Sequence, residues 1–154
     1  MHSVVRGPEP PGLKQLKRRL TPKWVRYYRE GKGKKPADVR WRDFHASLRD
    51  VFFRLCAYCE QFCKGEVDHF RPKSRFPQRV YQWSNWVHAC HACNNGRGEK
   101  WPPCGYVDPC ARLARSRPEA HFDFDTKTAE ITPRFNDPCS TAESPCDDPG
   151  LGLE

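Results

Sequence analysis

No stretch of this 154-residue chain approaches the ~18 consecutive apolar residues that a membrane-crossing helix needs, and residues 1–12 hold no apolar core of a secretory signal. These absences argue against a membrane and place the expectation in the cytoplasm, where disulfides are rare. Nine cysteines in such a chain read as metal ligands or free thiols rather than as a disulfide framework. Acidic residues are scarce in the first 100 positions, which carry 22 Lys/Arg against 9 Asp/Glu; residues 101–154 carry 5 against 10. A basic body with an acidic end suggests a polyanionic partner for the body, ordinary solubilising charge being the plain alternative. Apolar residues make up 37% of the chain, enough for one modest core that a bound metal would help to hold.

Residues 1–12 are rich in Pro and Gly and read as poorly ordered. Residues 13–35 are basic (Lys14, Lys17, Arg18, Arg19, Lys23, Arg26, Arg29, then Gly31-Lys32-Gly33-Lys34-Lys35), with Trp24, Tyr27 and Tyr28 interleaved. They read as a short helix and a flexible basic loop suited to a nucleic-acid backbone with some stacking; a solvated basic face is the alternative. Over 38–55, Trp41, Phe44, Leu48, Val51 or Phe52, and Leu55 recur at steps of three and four. This predicts one helix, N-capped by Asp38, whose apolar stripe faces the core. Residues 66–70 read as a short strand, and 81–89 as a second extended segment anchored by Tyr81, Trp83 and Trp86. Residues 94–100 start a helix weakened by Gly96 and Gly98. A small hairpin is expected from 121–124 and 128–132, and residues 136–154 read as a loose acidic, Pro-rich tail.

Cys56-Ala57-Tyr58-Cys59 and Cys90-His91-Ala92-Cys93 are two CxxC pairs separated by 30 residues. Two residues between cysteines let both sulfurs reach one tetrahedral ion from a tight turn, so the pairs predict a closed structural Zn²⁺ site. A redox role would call for a thioredoxin-like βαβ context, which is missing. Cys63, Cys104, Cys110, Cys139 and Cys146 lack such a partner motif and read as free thiols, a second site using Cys104 and Cys110 or Cys139 and Cys146 being the alternative, and His91 reads as a surface residue.

Between the two pairs lies Val67-Asp68-His69-Phe70-Arg71-Pro72-Lys73-Ser74; Asn85 and Asn94 follow. The set CxYCE, VDHFRPKS and WxNWxxACxxCN resembles the HNH (His-Me finger) endonucleases. More closely, it is similar to the short HNH proteins found with bacterial retron and Septu-type antiphage defence systems. The close match covers Leu55 to Pro102, with a looser one to Pro133. The resemblance implies an α+β fold: a ββα-metal core stapled by the four cysteines, with a helical basic N-terminal region. It implies an organisation into a basic N-terminal segment (1–35), an HNH domain (36–135) and the tail (136–154). By position it makes His69 the general base, Asp68 and Asn94 ligands of Mg²⁺ or Mn²⁺, and Asn85 a residue that orients His69 or its loop. It also implies an ATPase partner. Where the family usually places a Lys, three residues after the Asn, this chain has Arg97, with Lys100 farther on.

Elementary chemistry agrees with those roles. Imidazole, with an ordinary pKa of about 6.5, takes a proton from water near neutral pH. A divalent cation stabilises the charge that develops on phosphorus-bound oxygens. Arg71 and Lys73 are placed to hold phosphates, a solvated loop being the alternative, and the resemblance implies a further phosphate contact from Arg97 or Lys100. Asn94 as a helix cap, Asn85 as a plain backbone partner, and His88 as a rival cation ligand are the other readings of these residues. The expectation is a metal-dependent endonuclease acting on DNA with low sequence specificity. A non-catalytic zinc-ribbon-like nucleic-acid-binding module is its main rival, and a RING-like adaptor, which would need more ligands, a distant one.

Overall fold

In a computed structural model, which describes residues 3–31, 33–103 and 105–134, the chain is α+β. Helix α1 (Leu13–Glu30) buries Leu13, Leu20 and Trp24 at steps of seven and four, with Leu16 and Tyr28 packed beside them. It is longer than the short helix expected, because the single break signal, Pro22, leaves the stripe intact. Residues 3–12 are not the loose leader their composition suggests. Val4 is buried and donates its N–H to the Pro109 carbonyl, and Arg6 donates to the carbonyls of Trp83 and Trp86 while lying over the rings of Phe52 and Trp83.

The helix expected over 38–55 is divided. A 3₁₀ turn (Arg40–Phe44) leads into α2 (His45–Val51), and Phe53 and Arg54 then take left-handed φ values of 52° and 63° that end the helix. Asp38 caps nothing: its carboxylate pairs with Lys23 and its carbonyl accepts from the Tyr81 hydroxyl. The stripe itself serves as core, with Trp41, Leu48 and Phe52 buried.

Strand β1 (Glu66–His69) pairs antiparallel with β2 (Trp86–Ala89), Glu66 opposite Ala89 and His69 opposite Trp86. A 3₁₀ turn (Trp83–Asn85) shortens the extended segment expected from 81, and α3 (His91–Arg97), capped by Cys90, begins three residues earlier than its sequence indicated. Alternation along β1 aims Glu66 and Asp68 at α3, while Val67 and the opposed His88 face α2. Behind the hairpin, Trp24, Trp41, Tyr81 and Trp86 form a chain of tilted and edge-on rings with centroids 5.5–6.3 Å apart. After a short helix, α4 (Pro118–His121), β3 (Phe122–Phe124) and β4 (Ile131–Pro133) make the expected second hairpin. The acidic tail, like Cys104, Cys139 and Cys146, lies outside the described residues. Among the described residues no helix is long and apolar enough to cross a membrane.

A candidate active site beside a four-cysteine centre

The first CxxC turn precedes β1 and the second opens α3, so the hairpin brings the two together. The sulfurs of Cys56, Cys59, Cys90 and Cys93 lie within 4.8 Å of one another and could hold one metal ion. The Cys59–Cys90 sulfur separation of 3.9 Å matches the edge of a tetrahedron whose centre is about 2.3 Å from each sulfur. Backbone N–H groups of Tyr58 and Cys90 point at the Cys56 sulfur at 3.5 and 3.3 Å, and that of Cys93 at the Cys90 sulfur. Although burial opposes ionisation, such N–H donors bring Cys56 down to about 7. Burial and its sulfur neighbours push Cys93 up, and a bound cation would offset that cost, since a metal takes cysteines as thiolates. Of the cysteines expected to be free, Cys63 contacts His88 Nε2 at 3.5 Å, and Cys110 is half-buried against the core. His91 is exposed, with Nδ1 2.6 Å from Glu66, on the surface as expected.

At the His69 end of β1, a crease of about 210 Å³ is lined by Asp68, His69, Lys73, Asn94 and Arg97. His69, 3% exposed, stands edge-on to Trp41 at 4.9 Å. Its Nε2 is 2.9 Å from the Val80 carbonyl, which also accepts from the Trp86 indole. A carbonyl only accepts, so Nε2 carries the proton and Nδ1 holds the lone pair. Burial, with smaller contributions from Lys73 and Arg97, holds the imidazole well below its ordinary value, hence neutral at pH 7. Burial also pulls the Lys73 ammonium down; it lies 5.4 Å from the Trp41 ring centre.

Asp68 is 5% exposed and holds four donor contacts. Arg97 reaches Oδ1 at 2.7 Å and Oδ2 at 2.8 and 3.1 Å, and the Tyr58 hydroxyl reaches Oδ2 at 2.6 Å. Asn94 uses its amide nitrogen on Glu66 at 3.2 Å, so its oxygen is the atom it has to offer. A carboxylate oxygen with one hydrogen bond and an amide oxygen on an open crease fit a hard divalent cation that keeps most of its waters.

The remaining sequence candidates divide. Asn85, 3% exposed, accepts from the Arg71 N–H at 2.8 Å and donates to the carbonyls of Arg71 and Arg79, each at 3.1 Å. It clamps the loop that leaves His69 and does not touch the ring. Arg71 lies 5.5 Å over both Phe76 and Trp101, outside the lining of the crease, and Lys100 is exposed. Arg97 points inward: beyond Asp68 it donates to the carbonyls of His69 and Phe70 at 2.8 and 3.0 Å. His88, on the α2 side of the hairpin, faces away from the crease. Sequence reasoning gave no role to Tyr58 or Glu66. Glu66 was legible as the residue two before Asp68 on one strand face; Tyr58 had only its place inside the first CxxC as a signal.

Comparison with known proteins agrees with this geometry. Residues 56–100 match the model of the HNH endonuclease family, a span that holds both cysteine pairs, β1, β2 and α3. The Septu protein PtuB of Bacillus thuringiensis is 34% identical over 59 residues, 34% of this chain and 22% of that protein. This chain thus matches less than a quarter of that relative's length. No solved structure matches significantly. The hairpin, the helix it packs on and the cysteine staple that joins them are together an HNH endonuclease domain, over residues 56–100 of the chain.

Proposed function

We propose that this chain is an endonuclease that hydrolyses DNA phosphodiester bonds with a divalent cation, Mg²⁺ or Mn²⁺, and that it is the nuclease effector of a bacterial antiphage defence assembly. The observation that carries the reading is the meeting of Asp68, His69 and Asn94 on one crease, with the His69 tautomer fixed by the Val80 carbonyl. Nδ1 of His69 is a neutral base and takes the proton of the attacking water. Asp68 and Asn94 would hold the cation, which would supply Lewis-acid stabilisation of the charge that builds on the phosphate oxygens. Lys73, on the same crease, offsets charge on the scissile phosphate, and Arg71 and Lys100 contact flanking phosphates. Asn85 fixes the loop so that Lys73 and His69 keep their relation. Zn²⁺ on the four cysteines is structural: no protein-free position is left for chemistry when all four ligands are thiolates.

The defence setting rests on the resemblance and on the likeness to the Septu protein PtuB, and an ATPase partner on the resemblance alone. The test is supercoiled plasmid with Mg²⁺, using the chain alone and in its assembly, beside His69→Ala. Nicking or linearisation by wild type and its loss in the variant is the expected result. A wild type that binds DNA without cutting it, in its assembly as well as alone, would return the domain to a non-catalytic nucleic-acid-binding module, and a variant that cuts as fast as wild type would remove His69 as the base.

A further inference from the structure

Arg97 is built into the crease as an internal cation, its side chain 8% exposed. Its guanidinium holds both oxygens of Asp68, the carbonyls of His69 and Phe70, and lies 5.7 Å from the ring centres of both Tyr58 and Tyr106. Arg97 is also the last residue of α3, before Gly98 turns the chain at φ 52°, so its reach is set by a short, fixed element. With Tyr58, its donors fill Oδ2 and leave Oδ1 a single lone pair. A divalent cation on Asp68 must either displace this guanidinium or sit beside it, and both options cost free energy at a carboxylate that is itself buried.

We propose that Arg97 is a positioning residue that competes with the divalent cation for Asp68: it assembles the carboxylate and the strand end for use, and it holds cation affinity down. The proposal rests on the reading of Asp68 as a cation ligand. Its consequence is that the crease binds the cation tightly only when something else engages Arg97, and a substrate phosphate is the anion a planar guanidinium matches best.

The experiment measures Mn²⁺ binding by paramagnetic resonance, and the change in melting temperature on adding Mn²⁺. It uses the zinc-loaded full chain without DNA, as wild type, Arg97→Lys, Arg97→Gln and Asp68→Asn. The expected result is tighter Mn²⁺ binding by Arg97→Gln, by about 5- to 150-fold, the usual span of coupling between two ligands. Arg97→Lys, which keeps the charge but not the fork, falls between. Arg97→Gln leaves a buried carboxylate unpaired, so it melts lower than wild type, and Mn²⁺ restores more of that loss than it adds to wild type.

Unchanged or weaker Mn²⁺ binding in both Arg97 variants overturns the proposal, and so does their failure to fold with and without Mn²⁺, since Arg97 is then a strut no cation replaces. If Asp68→Asn abolishes Mn²⁺ binding in either case, the site reading stands and only the role of Arg97 is decided. If Asp68→Asn binds Mn²⁺ like wild type, the reading of Asp68 as ligand fails instead.

Discussion

In the role proposed for it, His69 has to meet the two demands on a general base. The ring must be neutral to accept a proton, and burial beside Trp41 and Trp86 keeps it so. It must also present the right nitrogen, and the Val80 carbonyl does that by holding Nε2–H. Because burial holds the imidazole well below its ordinary value of about 6.5, the ring is already neutral at pH 7. Raising the pH from 7 to 8 therefore yields nothing further from this group. His69→Ala, measured in whichever assembly cuts, should lose about 10²- to 10⁴-fold in cleavage and keep its DNA affinity. The variant's residual rate should climb across that same interval, because hydroxide replaces the missing base. Pseudo-first-order plasmid cleavage at several pH values checks this. A wild-type rate that rises with a midpoint above pH 7 contradicts the depressed imidazole.

The ββα element owes its shape to close approaches as much as to strand pairing. Gly65, just before β1, has φ +59°, and a Cβ built there would meet His88 Cε1 at 2.1 Å. Gly96, inside α3, faces nothing within 4 Å. Gly65→Ala should destabilise by about 1–3 kcal/mol through overpacking, with backbone strain added. Gly96→Ala should stabilise by about 0.5–1 kcal/mol through helix propensity. Denaturant melts of the zinc-loaded protein decide both, and equal midpoints for the two variants would count against this packing.

The staple belongs to the same element. Cys90→Ser, or prolonged chelation, should remove one tightly held metal per chain and collapse the near-ultraviolet signal of the tryptophan core. Metal analysis of folded wild type that finds none would remove the basis for this expectation. The staple and the positions of Asp68, His69, Asn85 and Asn94 were legible because ligand spacing and short motifs are local in sequence. The extent of α2 was not, since periodicity is blind to left-handed residues such as Phe53 and Arg54 that stop a helix while its stripe runs on. Nor was the inward turn of Arg97, because a cation's partner lies across the fold and a lone Arg in sequence reads as a surface charge.

Over the whole molecule, charge is divided between a buried use and an exposed one. Arg97 and Arg6 hold carbonyls and a carboxylate inside, whereas Lys14, Arg18 and Arg19 stand exposed on α1, with Lys17 half-buried beside them. None of these four has a partner among the described residues, unlike Lys23 with Asp38 and Arg26 with Glu30. Unpaired exposed cations are the ones that release counterions when they meet phosphates. Replacing Lys14, Lys17, Arg18 and Arg19 by Gln should therefore weaken DNA binding and lower the slope of log affinity against log salt by about one for each phosphate that is no longer neutralised. The cysteine-bound metal should stay, because α1 packs on the core through Leu13, Leu20 and Trp24, which are untouched. Fluorescence anisotropy with a labelled duplex across a salt series gives the slope directly. His69→Ala serves as the control: its chemistry is gone but its surface is not, so its slope should equal that of wild type. A slope left unchanged by the four α1 substitutions would move the DNA-binding surface off α1, to the exposed cations around the crease.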